Sequence, residues 1–331
     1  MTQRRIGPFS VQPVGLGCMN LDHGYGPSVS EAQGERVLLG ALDAGYDFFD
    51  TATLYGGGKN EERLARVLGK HRQRFVLASK CVLAIEPVDG KPQRILDGRP
   101  ETIRRHCEAS LKRLGTDVID LYYLHRWDKQ VPIEDSVGAL SDMVRKGHVR
   151  SIGLSEAGAQ TLRRAHAVHP IAAMQSEYSL WTRNPEIAVL DACRELGVAF
   201  VAFSPVARAF LCCEIDLNAL DAKDMRRGMA RFQPGHYEAN LQLFRDYAAI
   251  ARDVGCTPAQ LAIAWLLHRA PHLVPIPGTT NEQHMRENFA AAAIRLDALT
   301  LAQLDALINQ NTVQGARYDA QATREVDTEA F

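Results

Sequence analysis

The sequence has no long apolar run, almost no net charge and no paired cysteine spacing, and each absence argues against a class of protein. No stretch approaches the roughly 18–20 apolar residues that span a bilayer, and residues 1–8 lack the apolar core of a signal peptide. A net charge of −1 gives no electrostatic case for binding nucleic acid or an anionic membrane. Seven cysteines without CxxC spacing, Cys212 and Cys213 adjacent among them, favour a reducing cytoplasm.

Several catalytic and binding signatures are also missing. An open doubly wound sheet that binds dinucleotides would show G-x-G-x-x-G after its first strand, but residues 15–20 contain no third glycine. Ala157 stands where the nucleophile elbow of a serine hydrolase needs its second glycine. His166 and His169 form no ligand set with cysteines or acids, so we expect no metal.

What is present is a regular alternation of short apolar runs and amphipathic stretches. It predicts eight strands, at residues 14–17, 46–50, 75–80, 119–125, 149–154, 171–175, 198–203 and 273–276. Helices are predicted at residues 30–44, 60–68, 100–114, 133–146, 160–167, 185–196, 237–254 and 257–270, and two more follow the last strand. The pattern predicts a single (β/α)8 TIM barrel over residues 1–331, with an N-terminal β-hairpin at residues 3–14 and extra C-terminal helices.

Two segments fall outside this alternation. A polar tail occupies about residues 313–331, and a long irregular stretch occupies about 205–236. The long stretch carries four arginines: Arg208, Arg226, Arg227 and Arg231. Two interpretations stay open for it, a solvated surface loop and a flap that closes over an anionic cofactor.

Polar residues recur where the predicted strands end. Asp50, Lys80 and His125 each close an apolar run, and Tyr55 follows the first of these runs. Taken singly, the first three could be a turn cap, a surface charge and a core histidine. In a parallel barrel, however, the carboxyl ends of the strands carry the catalytic groups. The four types together suit proton donation from a tyrosine whose pKa a neighbouring lysine lowers.

Four stretches of the chain resemble the aldo-keto reductases, in order along about residues 8–320. They are residues 50–56 (DTATLYG) with 60–62 (NEE), 124–126 (LHR), 152–156 (IGLSE) followed by 175–179 (QSEYS), and 275–280 (PIPGTT). Within the family, the chain resembles the bacterial and plant branch whose members reduce small aldehydes and ketones. The resemblance implies that Tyr55 is the acid, that Asp50 and Lys80 tune it, and that His125 donates to the same carbonyl oxygen.

The resemblance also implies a nicotinamide cofactor. The family favours NADPH, and NADH is the alternative. Its positions in this sequence are Ser155 and Gln175 for the carboxamide, Phe203 for ring stacking, Ser204 and Val206 in the pyrophosphate loop, Gly278, Thr279 and Thr280 for phosphate, His284 for the 2′-phosphate, and Glu287 and Asn288 for adenine. Two departures from the family pattern lie in the pyrophosphate loop, where Ala207 and Ala209 replace glycines. Close relatives have glycine there because it permits positive φ.

For the substrate, the resemblance places five side chains around the carbonyl site: Met19, Leu54, Arg126, Trp127 and Trp181. Such an apolar and aromatic rim favours aldehydes and ketones with hydrophobic portions. The physiological substrate and the oligomeric state stay open, and we expect no nucleic-acid or membrane partner. A nicotinamide-nucleotide-binding regulatory subunit with little turnover is the alternative function, and the intact set of four polar residues argues against it.

Overall fold

The computed structural model describes residues 2–331, and a parallel sheet of eight strands forms its centre. Residues 2–331 form twelve strands, of which eight belong to this sheet and four form two separate hairpins. In chain order they are β1 (Arg4–Ile6), β2 (Phe9–Val11), β3 (Leu16–Gly17), β4 (Phe48–Asp50), β5 (Val76–Cys81), β6 (Leu83–Val88), β7 (Lys91–Leu96), β8 (Ile119–Leu124), β9 (Val149–Ser155), β10 (Ile171–Glu177), β11 (Ala199–Phe203) and β12 (Leu273–Pro275). The order in the main sheet is β12-β11-β10-β9-β8-β5-β4-β3. All eight predicted strands are present, with ends that differ from the predicted ones by a few residues.

The two edges of this sheet meet and close it into a barrel. The Gly15 N–H donates to Pro275 O at 3.0 Å, and the Gly17 N–H donates to Pro277 O at 3.3 Å. Glycine is required at this seam, because a Cβ on Gly17 would lie 2.7 Å from the Ile276 carbonyl oxygen. The predicted (β/α)8 barrel is confirmed, and closure removes the edge strands of the sheet.

Helices surround the barrel and continue past its last strand. They are α1 (Glu31–Ala44), α2 (Lys59–Leu68), α3 (Pro100–Leu114), α4 (Ile133–Arg145), α5 (Ala159–Val168), α6 (Val189–Leu196), α7 (His236–Val254), α8 (Pro258–Arg269), α9 (Glu282–Ala290), α10 (Ala298–Leu307) and α11 (Ala320–Arg324). The helix predicted to begin at residue 185 begins later, because its first turn is the 3₁₀ segment Asn184–Glu186. Among residues 2–331, no helix is long and apolar enough to cross a membrane.

The core has an inner and an outer layer, as strand geometry requires. Along β8, Leu121 and Tyr123 point into the barrel, while Tyr122 and Leu124 pack outward against the helices. All six residues of β8 are buried, which explains why the strand is apolar on both faces. The predicted N-terminal hairpin, β1 with β2, belongs to the inner cluster through Ile6 and therefore covers one end of the barrel.

Two elements were not predicted. A hairpin of β6 and β7 follows β5, and helix α11 lies in the polar tail. The hairpin strands are largely exposed and carry no buried alternation, but their turn is Asp89-Gly90, both residues with positive φ. Asp-Gly is a strong hairpin signal, so the turn could have revealed the hairpin. The 205–236 segment contains four short 3₁₀ helices and no strand, in agreement with the irregular structure predicted for it.

Candidate active site

A cleft of about 910 Å³ opens at the carboxyl ends of the barrel strands. Asp50, Tyr55 and His125 line it, and Lys80 lies directly beneath them with no exposed surface. The barrel brings the four together because β4, β5 and β8 are neighbours in the sheet and each ends at the same edge. Residues that are far apart in the sequence thus form one group.

Lys80 is the centre of this group. Its Nζ contacts a carboxylate oxygen of Asp50, lies 2.9 Å from Thr51 O, and lies 3.1 Å from the Tyr55 hydroxyl. Gln175 Nε2 donates to the other Asp50 oxygen at 2.8 Å. The ring of His125 stands edge-on to that of Tyr55, with 5.9 Å between centroids. The buried ammonium therefore has a counter-ion and is aimed at the phenol.

The electrostatics of this group favour a protonated tyrosine beside a charged lysine. Burial lowers the pKa of Lys80, but Asp50 and Tyr55 together outweigh burial, and the pKa is raised. Burial raises the pKa of Tyr55, and Lys80 opposes the rise without cancelling it. This differs from our expectation of a lowered pKa, because the sequence could not reveal how completely the phenol is buried. Burial, and then Arg126 and Lys80, hold the pKa of His125 well below its usual value, so its imidazole is neutral near pH 7.

The positions expected to hold the cofactor all line the same cleft. They are Ser155, Gln175, Phe203, Ser204, Val206, Gly278, Thr279, Thr280, His284, Glu287 and Asn288. They come from five separate regions of the chain, which reach one surface through β9, β10, β11 and the start of α9.

The phosphate end of the cleft uses loop amides in place of helix amides. We expected free N–H groups at the start of α9, but Asn281 Oδ1 accepts from Gln283 N at 2.8 Å and from His284 N at 3.1 Å. The preceding amides of residues 278–280 have no acceptor among residues 2–331. Three unpartnered N–H groups in a cleft fit an anion such as a phosphate.

One basic side chain faces the expected 2′-phosphate region. His284 is exposed, and the neighbouring Arg286 is held by Glu282 at 2.8 Å on the outer side of α9. Asn281 caps the start of α9 and contributes no charge there. The local charge for recognising a 2′-phosphate therefore rests on His284.

The loop expected to hold the pyrophosphate has a left-handed backbone at residues that carry a Cβ. Ser204, Ala207, Arg208 and Ala209 have φ values of 49°, 51°, 56° and 71°. Left-handed backbone costs roughly 1–2 kcal/mol for a residue with a Cβ. The loop therefore stores strain that surrounding contacts must hold.

The arginines of the 205–236 segment bind protein groups. Arg208 pairs with buried Glu177 at 2.9 Å, Arg226 with Asp224, Arg227 with Leu220 O, and Arg231 with Trp181 O. The segment also crosses the cleft, because Met225 N–H donates to Gly24 O at 2.9 Å. It is therefore more ordered than a solvated loop, and Arg208 and Arg226 line the cleft beneath it.

Three of the five expected substrate residues line the cleft: Met19, Leu54 and Arg126. The expectation was wrong for Trp127 and Trp181. The indole of Trp127 donates to Val131 O at 2.9 Å and lies under Arg164, outside the cleft. Trp181 is buried and stacks on Phe210 with 4.0 Å between centroids, so it belongs to the core under the long segment.

Several lining residues were missed. His23 stacks on Tyr55 with 5.8 Å between centroids, and Tyr25, Arg94, Tyr318 and Glu325 complete the rim. Arg94 lies on β7 and Glu325 in the tail, and these two form an ion pair across the mouth of the cleft. The sequence offers no signal for the tail, whose position depends on contacts with residues more than a hundred positions away.

Comparison with known proteins agrees with this geometry. The sequence model of the Aldo/keto reductase family matches residues 13–309. The chain belongs to that family. This reductase is 39% identical to a probable aldo-keto reductase 1 of Glycine max over 326 residues, which is 96% of this chain and 93% of the relative. The family assignment confirms the resemblance and makes the chain an oxidoreductase.

Solved structures support the same assignment. An aldo-keto reductase from Klebsiella pneumoniae, in complex with NADPH, is 27% identical, and the match covers 96% of this chain and 100% of that one with a TM-score of 0.74. A glycerol dehydrogenase from Gluconobacter oxydans has a TM-score of 0.84 at 23% identity, covering 96% of this chain and 98% of that one, and shows the shared fold. The tail beyond residue 309 lies outside the matched family range.

Proposed function

We propose that this reductase converts aldehydes and ketones to alcohols with NADPH and that Tyr55 supplies the proton. One observation carries the proposal: Asp50, Lys80 and Tyr55 form a continuous hydrogen-bonded row at the floor of the cleft, beside His125. A reduced nicotinamide, when bound, supplies the hydride. The chain's own residues must then orient the carbonyl and neutralise the charge that develops on its oxygen.

Tyr55, at the end of this row, and the neighbouring His125 supply two donors for that oxygen. A carbonyl oxygen placed between Tyr55 and His125, which both line the cleft, would accept from the phenol and from the neutral imidazole. As charge grows on that oxygen, the phenolic proton moves to it. The phenolate left on Tyr55 is stabilised by the Lys80 ammonium 3.1 Å away, which Asp50 keeps charged.

The cleft fits the dinucleotide at both ends. The unpartnered amides of residues 278–280 suit a phosphate, and half-buried Phe203 offers an aromatic face near the nicotinamide end. Ser155 and Gln175, the positions expected to hold the carboxamide, lie opposite each other on the adjacent strands β9 and β10. Family membership favours NADPH, and NADH remains the competing cofactor because His284 is the basic group at the 2′-phosphate position.

Location and organisation are part of the same proposal. We take the chain as one barrel domain that works in the cytoplasm on a small carbonyl compound. All seven cysteines are free, which suits a reducing compartment. A nucleotide-binding regulatory subunit gains no support, since the relatives named above are reductases and a dehydrogenase.

The test is turnover measured beside binding. Quenching of protein fluorescence by NADPH and by NADH gives both affinities, and consumption of NADPH with 4-nitrobenzaldehyde gives the rate. We expect binding and turnover together, with cofactor consumption depending on the aldehyde. Tight binding without turnover of any aldehyde or ketone would reject the reductase and favour the regulatory alternative.

A further inference from the structure

The cleft contains one arginine whose charge is not neutralised. Four arginines line it, and three pair with carboxylates: Arg94 with Glu325, Arg208 with Glu177 and Arg226 with Asp224. The fourth, Arg126, forms no ion pair among residues 2–331. It is half-buried and lies directly after His125.

The hydrogen bonds of Arg126 leave most of its guanidinium free. Nη1 donates to His125 O at 2.6 Å and to Ser155 Oγ at 3.2 Å, while Nε and Nη2 have no acceptor among the described residues. A guanidinium matches a carboxylate through two parallel N–H donors. The two hydrogen bonds that Nη1 donates hold one side of the guanidinium, and its other edge, with Nε and Nη2, can meet a ligand.

The position of Arg126 sets which part of a ligand it could meet. His125 and Tyr55 face the carbonyl oxygen, and the charge of Arg126 acts on both of them. The phosphate end of the cleft, at residues 278–280, is reached from a different strand, β12. A negative group near Arg126 would therefore belong to the substrate.

We propose that the substrate is a carbonyl compound that also bears a carboxylate, and that Arg126 binds this carboxylate. This inference rests on the reductase function proposed above. It changes our expectation of an apolar and aromatic rim, since Trp127 and Trp181 lie outside the cleft and arginines lie within it. At the mouth of the cleft, Glu325 neutralises the charge of Arg94. Arg126 is therefore the lining arginine that can contact an anionic group.

The experiment compares two aldehydes of the same shape and different charge. 4-Carboxybenzaldehyde and 4-nitrobenzaldehyde carry planar groups of similar size, one anionic and one neutral. The measured quantity is the ratio of their kcat/KM values, compared between the wild type and variants so that their different intrinsic reactivities cancel. We expect Arg126→Met to lower the carboxylate-to-nitro ratio by about tenfold to 100-fold, the size of a charge-assisted hydrogen-bonded pair.

Two further variants complete the design. Arg126→Lys keeps the charge but lacks the two parallel N–H donors of a guanidinium, so we expect an intermediate ratio. A ratio as low as that of Arg126→Met would contradict recognition by charge. Arg145→Met removes the same charge from the exposed face of α4 and should leave the ratio at the wild-type value. NADPH quenching measured on each variant shows whether the change concerns substrate or cofactor.

The outcomes separate the two proposals. A ratio unchanged by Arg126→Met overturns the inference, and so does an equal loss on both aldehydes with weakened NADPH binding, which would make Arg126 a positioning residue for Ser155. In either case aldehyde reduction by the wild type would still stand. Failure of the wild type to reduce any carbonyl compound would instead reject the reductase function itself.

Discussion

The floor and the rim of the cleft are built on opposite principles. The floor consists of side chains at strand ends, among them Asp50, Lys80 and His125, and it is nearly inaccessible to solvent. The rim includes the hairpin of β6 and β7, which carries Arg94, and the tail at residues 313–331, which carries Tyr318 and Glu325. Rigid strands hold the groups that perform the chemistry, and more exposed segments surround the mouth of the cleft.

The tail side of the rim is held to the barrel by ion pairs, whereas the floor is held by the backbone hydrogen bonds of the sheet. Arg317 of the tail donates to both Glu156 oxygens at 2.6 Å and to Glu177 at 3.1 Å. Asp327 accepts from Thr161 Oγ1 at 2.6 Å, at the start of α5. Glu177 also binds Arg208 of the pyrophosphate loop, so the substrate side and the cofactor side share one buried carboxylate. Changes at the floor should therefore affect rate, and changes at the rim should affect affinity and stability.

The largest effect is expected at the floor, from Tyr55→Phe. The phenol acts when charge reaches the carbonyl oxygen, so kcat should fall by about 10²–10⁴-fold, the usual range for a lost general acid. Stability and NADPH affinity should change little, because phenylalanine fills the same space. Steady-state kinetics and fluorescence quenching check both parts, and a variant that kept most of its activity would break the assignment of the floor.

The next effect belongs to the rim, at Arg317. Arg317→Met leaves Glu156 and Glu177 buried with less compensation, and removing one partner of a buried ion pair costs roughly 3–5 kcal/mol. We expect a lower free energy of unfolding in urea, faster proteolysis of the tail, and a raised KM with a smaller change in kcat. Arg194→Met, in an exposed pair with Asp191, is the matched control and should be nearly neutral.

The acid sensitivity of the same variant gives an independent check. Burial raises the pKa of Glu177, but Arg208 and Arg317 outweigh it and lower the pKa from 4.5 to about 2. A depressed pKa stabilises the fold above 4.5, and the stabilisation is lost as pH falls toward 2. Without Arg317 the pKa of Glu177 should rise, so acid unfolding should begin at a higher pH. If Arg317→Met lost as much kcat as Tyr55→Phe while its KM stayed unchanged, the distinction between floor and rim would be wrong.

A smaller effect is expected at the cofactor end of the cleft. His284→Arg places a permanent charge where the imidazole stands, so NADPH should bind more tightly by about 1.5–3 kcal/mol while NADH changes little. Parallel quenching titrations measure this. If the wild type already discriminates strongly against NADH at pH 8, another group contacts the 2′-phosphate, and Arg226 in the cleft is the first to test.

The smallest effect is expected in the strained pyrophosphate loop. Ala207→Gly should stabilise the protein by about 0.5–1 kcal/mol, because relief of the left-handed backbone exceeds the added entropy of the unfolded chain. Ala302→Gly on the exposed face of α10 should instead destabilise by about 1 kcal/mol. Thermal unfolding compares the two. Equal losses would mean that Ala207 adopts its backbone without strain.

The sequence alone was enough for the barrel and for the positions along the floor. Apolar runs of strand length, each followed by a stretch with helical periodicity, predicted the order of the elements. Ser30 and Gln33 have the spacing of a capping box, and the structure shows half of one: the Ser30 hydroxyl accepts from Gln33 N, but the Gln33 side chain donates to Thr280 O. Strand-end residues could be located because parallel strands bring their carboxyl ends to one edge.

Tertiary structure alone decided the rim, the burial and the electrostatic balance. The tail, the ion pair of Arg94 with Glu325 and the exclusion of Trp127 and Trp181 depend on contacts between distant segments, for which no local pattern exists. Whether the pKa of Tyr55 rises or falls depends on the balance between desolvation and the charge of Lys80, and this balance is a property of packing. Periodicity in a sequence records which face of an element is buried, but it does not record which distant side chains will lie beside it.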